Sequence, residues 1–272
     1  MKVVLITGCS SGIGHHCANA LKNRGYLVFA TARKQEDVRA LQEEGLQSVR
    51  LDLLDSESIH KAVSYVMKKA GRIDVLFNNA GYGQPGACED LPRDALRDQF
   101  ETNLFGPVEL TNAIIPIMRR QNSGRIIWNS SVLGLVAMPY RGAYNATKFA
   151  MEGFVDTMRL ELKGTGIYTV LIEPGPIRSE FRKNAFIQFK ENIDPQASVH
   201  DLSYGRLAKK LRKKEATAFF TMGPEAVLRK LLRAIESRKP RARYYVTFPA
   251  YFIAALKRVA PQCLLDSLLR KW

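Results

Sequence analysis

Short apolar runs alternate with amphipathic segments along most of this chain of 272 residues. The apolar runs are rich in β-branched residues and predict strands at residues 2–7, 26–31, 46–52, 73–79, 124–131, 166–175 and 243–248. Helical spacing predicts helices between them, at residues 13–23, 35–44, 56–70, 93–120, 142–163 and 224–237. Apolar strands that alternate with helices predict a parallel sheet covered on both faces. Right-handed crossovers then predict a doubly wound α/β fold, the Rossmann fold.

Three regions depart from this regular pattern. The helix at 93–120 contains Asn103, Gly106 and Pro107, which predict a kink or an interruption. Residues 176–222 carry prolines, polar residues and a basic run at 209–214, which predict a lid rather than a layer of the sheet. Two short amphipathic helices are expected at about 250–259 and 261–271. We therefore predict one domain over residues 1–250, including the lid, with a helical extension over 251–272.

The net charge of +15 is unevenly placed along the chain. Residues 1–181 hold 21 Lys or Arg against 19 Asp or Glu, whereas residues 182–272 hold 20 against 7. Such asymmetry indicates an anionic partner for the final third, either lipid headgroups, nucleic acid or an acidic protein; the alternative is a well-solvated surface. Because the basic runs contain no interleaved aromatic residues and no recognition motif, we expect no binding to nucleic acid.

The cysteines and histidines show no chemical pattern. The four cysteines form no CxxC pair, and no Cys/His cluster has the spacing of a zinc site, so no metal is expected. Reduced thiols in a cytoplasmic protein are the simplest interpretation. The first apolar run is too short for a signal peptide. The four histidines form no pair with a nucleophile or a metal site and are interpreted as structural.

A glycine-rich turn, TGCSSGIG at 7–14, follows the first strand. Gly8, Gly12 and Gly14 would let backbone N–H groups approach a pyrophosphate, and the dipole of the next helix favours the same anion. The spacing is not GxGxxG, and tight turns need glycine in any case, so the turn alone is a weak signal. Its place in the first βαβ unit favours a dinucleotide site.

The end of the second strand, TARK, distinguishes between the two nicotinamide cofactors. An acidic residue at this point would bind the adenosine ribose of NAD, but the chain has Arg33 and Lys34, and no carboxylate before Glu36. A guanidinium suits a 2′-phosphate, so we predict NADP(H), with Arg33 pairing with the phosphate. The alternative is that Arg33 is a solvated charge at the strand end.

Several ordered motifs resemble those of the short-chain dehydrogenases/reductases over about residues 2–250. TGCSSGIG is similar to the family's TGxxxGxG, NNAG at 78–81 to its sheet-stabilising motif, and PGPIRS at 174–179 to a segment that contacts the nicotinamide. Tyr144 and Lys148 form the family's YxxxK, and Ser131 lies 13 residues before Tyr144. Asn103 falls where the family has a helix asparagine.

The resemblance implies a catalytic set of Asn103, Ser131, Tyr144 and Lys148. Tyr144 would be the general acid in carbonyl reduction or the general base in alcohol oxidation. Ser131, rather than its neighbour Ser130, would bind the substrate oxygen, and Asn103 would hold a water that leads to Lys148. Because Tyr144 and Lys148 share one helix face, we expect the ammonium group and the oxidised nicotinamide to lower the pKa of the tyrosine toward neutrality.

The resemblance also implies a set of cofactor-binding residues. Asp52 and Leu53 would lie near the adenine, and Lys148 would bind the nicotinamide ribose. The whole set is Gly8, Ser10, Ser11, Gly12, Ile13, Gly14, Arg33, Asp52, Leu53, Asn79, Ala80, Gly81, Tyr144, Lys148, Pro174, Gly175, Ile177 and Ser179.

Within the family, the strings TGCSSGIG, TARK and IEPGPIRSEF resemble the branch that contains 17β-hydroxysteroid dehydrogenases, retinol dehydrogenases and bacterial NADP-dependent aldehyde reductases. The YNATK helix and the C-terminal pattern GPEAV…KPxxRYxVT are most similar to those of the aldehyde reductases. The branch implies a lipophilic carbonyl or alcohol as substrate, and we expect NADPH-dependent reduction. Oxidation of a retinol or hydroxysteroid, or a non-catalytic cofactor sensor, remain as alternatives. Candidate residues for the substrate pocket are Leu133, Val136, Met138, Tyr140, Pro176 and parts of 181–222.

The C-terminal third suggests where the protein acts. Leucines on one side of 264–272 oppose Arg270 and Lys271, and Trp272 would sit at an interface. One hypothesis places this third peripherally on an anionic membrane surface; the alternative is that its helices dock on the sheet or on a partner subunit. The resemblance further implies a homo-oligomer, a dimer or tetramer formed through the helices at 93–120 and 142–163.

Overall fold

The computed structural model describes residues 1–212 and 220–270, which form one sheet of seven parallel strands. The strands are β1 (Val3–Ile6), β2 (Leu27–Ala32), β3 (Gln47–Arg50), β4 (Val75–Asn78), β5 (Gly124–Asn129), β6 (Ile167–Pro174) and β7 (Arg243–Val246). Their order in the sheet is β3-β2-β1-β4-β5-β6-β7. The order reverses between β1 and β4, so the predicted doubly wound fold is confirmed. That reversal opens a crevice at the carboxyl ends of the strands.

Helices cover both faces of the sheet. They are α1 (Gly12–Lys22), α2 (Gln35–Glu43), α3 (Ser56–Ala70), α4 (Arg93–Phe100), α5 (Gly106–Arg120), α6 (Gly142–Glu161), α7 (Phe181–Asn192), α8 (Asp201–Arg212), α9 (Glu225–Glu236), α10 (Phe248–Val259) and α11 (Gln262–Leu269). Successive strand residues point to opposite faces, so Ile6 packs in the core under α1 and α9 while Leu5 packs in the core under α3, α5 and α6.

The predicted interruption of the helix at 93–120 is confirmed. A π-helical turn, Glu101–Phe105, separates α4 from α5, and Pro107 lies in the first turn of α5, where no intrahelical N–H is needed. A Cβ atom on Gly106 would lie 2.2 Å from the carbonyl oxygen of Leu53. Glycine therefore lets the backbone of α5 contact the backbone of the loop that follows β3.

The predicted lid at 176–222 contains two helices, α7 and α8, that the sequence pattern did not indicate. The pattern missed α7 because its buried face is narrow, with only Ala185 and Phe189 buried. The two helices pack together around a small hydrophobic core that contains Tyr204 of α8. The hydroxyl of Tyr204 accepts a hydrogen bond from the Ala87 amide at 2.9 Å. Nε2 of His200 lies 2.7 Å from a Glu89 carboxylate oxygen, so this histidine helps to hold the lid against the sheet domain.

The C-terminal helices α10 and α11 agree with the expectation from sequence. Their inward residues pack against Val132 and Val136. The end of the basic run, Lys213 and Lys214, and the predicted interfacial residues Lys271 and Trp272 lie outside the described residues. Within residues 1–212 and 220–270, no helix is both long enough and apolar enough to cross a membrane.

Candidate active site

A cavity of about 950 Å³ opens at the carboxyl ends of the strands, in the crevice beside β1 and β4. Most of the residues that the sequence placed at the site line it: Gly8, Ser10, Ser11, Gly12, Ile13, Arg33, Asp52, Leu53, Asn79, Ala80, Gly81, Ser131, Tyr144, Lys148, Pro174, Gly175, Ile177 and Ser179. Gly14 and Asn103 do not. The fold therefore brings residues from six strand ends to one cavity.

The glycine-rich turn has the geometry of a phosphate site. Helix α1 begins at Gly12, and within the described residues the Ser11 side chain makes no capping hydrogen bond. The first turn also lacks an acidic residue, so its N–H groups and the helix dipole are available to an anion. Gly8 has φ +70°, and a Cβ atom there would lie 2.8 Å from Cα of Ala80. These features fit a pyrophosphate.

Gly14 serves packing rather than the cavity wall. A Cβ atom at this position would lie 2.2 Å from the carbonyl oxygen of Gly8 and 2.6 Å from Nδ2 of Asn79. Because the first of these contacts is with rigid backbone, a side chain would push α1 away from β1 and distort the turn. The side chain of Asn79 fixes the turn from the other side, since it donates hydrogen bonds to the carbonyl oxygens of Thr7 and Gly8 at 2.9 and 3.2 Å.

Two basic side chains line the cavity where β2 ends. Arg33 and Lys34 are exposed there, and Asp37, Asp52 and Leu53 also line the cavity. Lys34 pairs with Glu36 at 3.1 Å, whereas Arg33 forms no ion pair with any described residue. The Arg33 guanidinium is therefore available to an anionic ligand.

Ser131, Tyr144 and Lys148 meet at the other end of the cavity. Ser131 follows β5, and its side chain lies beside the phenol of Tyr144 on α6, close enough to lower the pKa of that phenol. Lys148, one helical turn later, is buried, and its Nζ donates a hydrogen bond to the carbonyl oxygen of Asn129 at 2.8 Å. The same Nζ lies 5.6 Å from the centre of the Tyr144 ring.

Burial shifts the pKa values of Tyr144 and Lys148 in the directions that favour the neutral form of each group. It raises the pKa of Tyr144 to about 12, although the neighbouring Ser131 side chain and the Arg141 charge act in the opposite direction. Burial also lowers the pKa of Lys148 to about 8, against the charge of Glu152. In the polypeptide alone, desolvation of the phenolate outweighs the lowering effects on the pKa of Tyr144. The expected fall of this pKa toward neutrality, which includes the charge of the oxidised nicotinamide, stays a prediction.

Asn103 lies behind the cavity wall, in the π-helical turn. Its Oδ1 accepts a hydrogen bond from the Tyr82 amide at 3.1 Å, and its Nδ2 donates to the Tyr82 carbonyl oxygen at 2.9 Å and to Thr147 Oγ1 at 3.3 Å. The side chain thus fixes the loop after β4 to helix α6. Its suggested role in holding a water stays a prediction.

A buried polar network lies behind Ser130 and Ser131, and the sequence pattern did not predict it. Ser130 Oγ donates to a carboxylate oxygen of Glu152 at 2.5 Å, so Ser130 is engaged away from Tyr144 while Ser131 faces it. Arg243 lies 3.0 Å from Glu152, 2.7 Å from Asp156 and 3.0 Å from Glu173. The one signal in the sequence was that Glu152 is four residues after Lys148, on the same helix face.

The substrate side of the cavity has an apolar wall and a polar part, which is formed by residues of the lid: Arg182, Asn184, Gln188, Glu191 and Asn192. Of the predicted pocket residues, Leu133, Met138 and Pro176 line it, and Phe181, Pro249 and Ile253 complete that wall. The prediction was wrong for two residues. Val136 packs beneath α10 and α11, and Tyr140 packs against His200 and Tyr204 of the lid.

Comparison with known proteins decides the family. The family model for short chain dehydrogenase matches residues 2–189. This chain belongs to the short-chain dehydrogenase family. The dehydrogenase is 39% identical over 270 residues to the uncharacterized oxidoreductase YbbO of Escherichia coli K12, which covers 99% of this chain and 94% of the relative. It is 33% identical over 268 residues to human retinol dehydrogenase 8, covering 95% and 85% of the two chains.

A solved structure gives the same assignment. The closed form of a serine dehydrogenase complexed with NADP+ is 25% identical, covers 90% of this dehydrogenase and 94% of its own chain, and has a TM-score of 0.77. The family and the cavity geometry together make the protein an oxidoreductase with a site for a nicotinamide cofactor.

Proposed function

We propose that this dehydrogenase uses NADP(H) to reduce a lipophilic carbonyl compound to its alcohol. The observation that carries the proposal is the arrangement of one continuous cavity. It has an exposed arginine, Arg33, beside the adenosine end, and the half-buried Ser131 next to the buried Tyr144 beside an apolar wall.

The cofactor preference rests on the end of β2. Arg33 lines the cavity without an ionic partner among the described residues, and it follows the strand at which an acidic residue would favour NAD. A guanidinium there can bind a 2′-phosphate through charge-assisted hydrogen bonds. The related serine dehydrogenase, whose solved structure holds NADP+, agrees with this preference.

The chemistry at Tyr144 suits reduction. Bound NADPH would supply the hydride to the carbonyl carbon. Because the pKa of Tyr144 is about 12, its phenol is protonated at neutral pH and can donate that proton to the carbonyl oxygen. Ser131 stands beside the phenol and would donate a hydrogen bond to the same oxygen as negative charge develops. Lys148, held by the Asn129 carbonyl, would orient the ribose of the cofactor.

The substrate class rests on the wall opposite the cofactor. Leu133, Met138, Phe181, Pro249 and Ile253 offer apolar contacts and fit a lipophilic molecule better than a small polar one. The relative retinol dehydrogenase 8 is named for a lipophilic alcohol, which agrees with this wall.

The same relative favours a second candidate function, oxidation of a lipophilic alcohol. In that direction Tyr144 must accept a proton, which requires its phenolate. Reduction is the better proposal because the protonated phenol of Tyr144 suits a proton donor and because Arg33 suits the 2′-phosphate of NADPH.

A cofactor and substrate panel tests the proposal. NADPH and NADH oxidation would be followed with aliphatic aldehydes, retinal, a 17-ketosteroid and small polar ketones, and alcohol oxidation with retinol and a 17β-hydroxysteroid. We expect turnover of the lipophilic carbonyls with NADPH in preference to NADH. Turnover of the polar ketones alone would contradict the substrate class, and NADPH binding without any turnover would indicate a sensor.

A further inference from the structure

Helix α10 is apolar on both of its faces. Its inward residues Pro249, Ala250, Ile253 and Ala254 are buried. Its outward residues are also apolar, and several are strongly exposed: Phe248 (61%), Tyr251 (48%), Phe252 (45%) and Val259 (82%). A helix that is hydrophobic all round is normally buried, so the outward face indicates a partner.

The outward aromatic side chains lie on one side of α10 and next to it, and we name this surface the aromatic face. It consists of Phe220, Phe248, Tyr251 and Phe252. The Phe220 and Phe248 rings lie 5.1 Å apart, and those of Phe248 and Phe252 lie 6.2 Å apart and are stacked. Phe220 extends the face beyond α10, from the segment that precedes α9. A patch built from two separate segments is broader than a chance pair of exposed residues.

Basic groups border the aromatic face. Nζ of Lys230 donates to the Tyr251 hydroxyl at 2.9 Å and lies 5.4 Å from its ring centre. Arg258 is exposed in the last turn of α10, on the same side of the helix as Tyr251, and α10 contains no acidic residue. Lys257, in the same turn, is directed elsewhere: its Nζ lies 4.9 Å from the centre of the Phe149 ring on α6. The stretch of sequence to which this face belongs, residues 182–272, has 20 basic against 7 acidic residues. Aromatic rings bordered by lysine and arginine match the headgroup zone of an anionic bilayer.

A second copy of the chain fits this surface less well. A two-fold interface places the same patch against itself, so the basic border formed by Lys230 and Arg258 would face the same basic border of the other copy. Like charges across an interface oppose association, whereas an anionic lipid surface is complementary to them.

We propose that the aromatic face of α10 binds an anionic membrane surface. The proposal links the surface to the site, because Pro249 and Ile253, on the inward face of the same helix, line the cavity. One helix would then contact the bilayer on one side and the substrate on the other. Delivery of a lipophilic substrate rests on the proposed function, but binding to the membrane does not.

Vesicle flotation of the full chain tests the surface without any measurement of turnover. The probes are vesicles of phosphatidylcholine alone and of phosphatidylcholine mixed with phosphatidylglycerol. We expect binding to the mixed vesicles only, weakened roughly tenfold or more by the double change Phe248→Ser and Phe252→Ser and by Arg258→Glu. Matched controls are Leu202→Ser on α8, exposed by 83%, and Lys61→Glu on α3, which should bind as the unchanged protein does.

Three results would overturn the proposal. The first is equal binding, or none, to the two kinds of vesicle. The second is binding that the control changes reduce as much as the changes to the aromatic face. The third is a dimer, detected by sedimentation without vesicles, that Phe252→Ser dissociates, because a second copy would then cover this face. NADPH binding that stays unchanged in each variant shows that the variants are folded.

Discussion

Nζ of Lys148 lies 5.6 Å from the centre of the Tyr144 ring and donates its hydrogen bond elsewhere, to the Asn129 carbonyl oxygen at 2.8 Å. Both side chains are buried, and burial shifts the pKa of each in the direction that favours its neutral form. The nearby cation that lowers the pKa of Tyr144 is instead Arg141, which precedes α6. The phenol therefore keeps its proton at neutral pH, as a proton donor requires.

The pH dependence of the two reaction directions follows from this relationship. Reduction needs the protonated phenol, so its kcat/KM should stay level through neutral pH and fall as the pH rises toward the pKa of Tyr144, about 12. Oxidation needs the phenolate, so its kcat/KM should rise with pH over the same range. Rate profiles in both directions check this. A reduction rate that increases with pH would show that Tyr144 is not the proton donor.

Replacement of Arg33 should change the cofactor preference. We expect Arg33→Ala to weaken NADPH binding by roughly 10- to 100-fold, because a charge-assisted pair with the 2′-phosphate is lost, and to leave NADH binding nearly unchanged. Fluorescence titration with both cofactors measures the difference. The matched control is Arg120→Ala, an exposed arginine at the end of α5. An equal loss for both cofactors would mean that Arg33 does not recognise the 2′-phosphate.

Alanine replacements should affect stability in opposite directions at a tightly packed glycine and at a glycine with open space around it. Gly14→Ala should destabilise the fold and weaken cofactor binding, since its Cβ atom would lie 2.2 Å from the Gly8 carbonyl oxygen. Gly153→Ala on α6 meets no atom within 4 Å and should stabilise the protein by about 1 kcal/mol, the helix preference of alanine over glycine. Urea unfolding of the two variants measures both effects. Equal effects of the two changes would contradict the close approach of α1 to the turn.

Removal of Arg243 should lower the stability of the protein, because three neighbouring carboxyl groups lose their cation. Arg243→Ala leaves Glu152, Asp156 and Glu173 together without their cation, and we expect a loss of about 2–3 kcal/mol, reduced from the cost at a fully buried site because Arg243 is partly exposed. Arg238→Ala, an exposed arginine just after α9, is the control and should have little effect.

The pH dependence of that loss has a definite sign. Burial raises the pKa of Glu173 to about 8, so the stability from its protonated form is complete below the ordinary glutamate pKa and is lost as the pH rises toward 8. Without Arg243 the carboxyl pKa values should rise further. The defect should therefore be smaller at acidic pH than at pH 8, as urea unfolding at both pH values would show. A constant defect would point to lost packing alone.

The strands and the cavity could be predicted because each depends on local sequence. Each apolar run ends close to a residue that the cavity uses, such as Gly8 after β1 or Ser131 after β5. Parallel strands bring those ends to one edge of the sheet. The interruption at Asn103 was predictable for a similar reason, since Gly106 and Pro107 act on their own helix.

Other features depend on contacts between distant parts of the chain. Arg243 lies 91 residues from Glu152, and no periodicity connects them. The pocket prediction failed at Val136 and Tyr140 because the directions of side chains after β5 are set by α10 and by the lid. The pKa of Tyr144 depended on its depth of burial, which spacing along a helix does not reveal.

The most direct test of the account is the effect of Tyr144→Phe on kcat/KM for NADPH-dependent reduction of the best lipophilic carbonyl. The account predicts a loss of roughly 100- to 10,000-fold, because proton donation is removed, with NADPH binding retained. Tyr65→Phe, on α3 and packed against Phe29, serves as the control and should keep full activity. A Tyr144→Phe protein that reduces the carbonyl at the unchanged rate would contradict the assignment of Tyr144 as the proton donor.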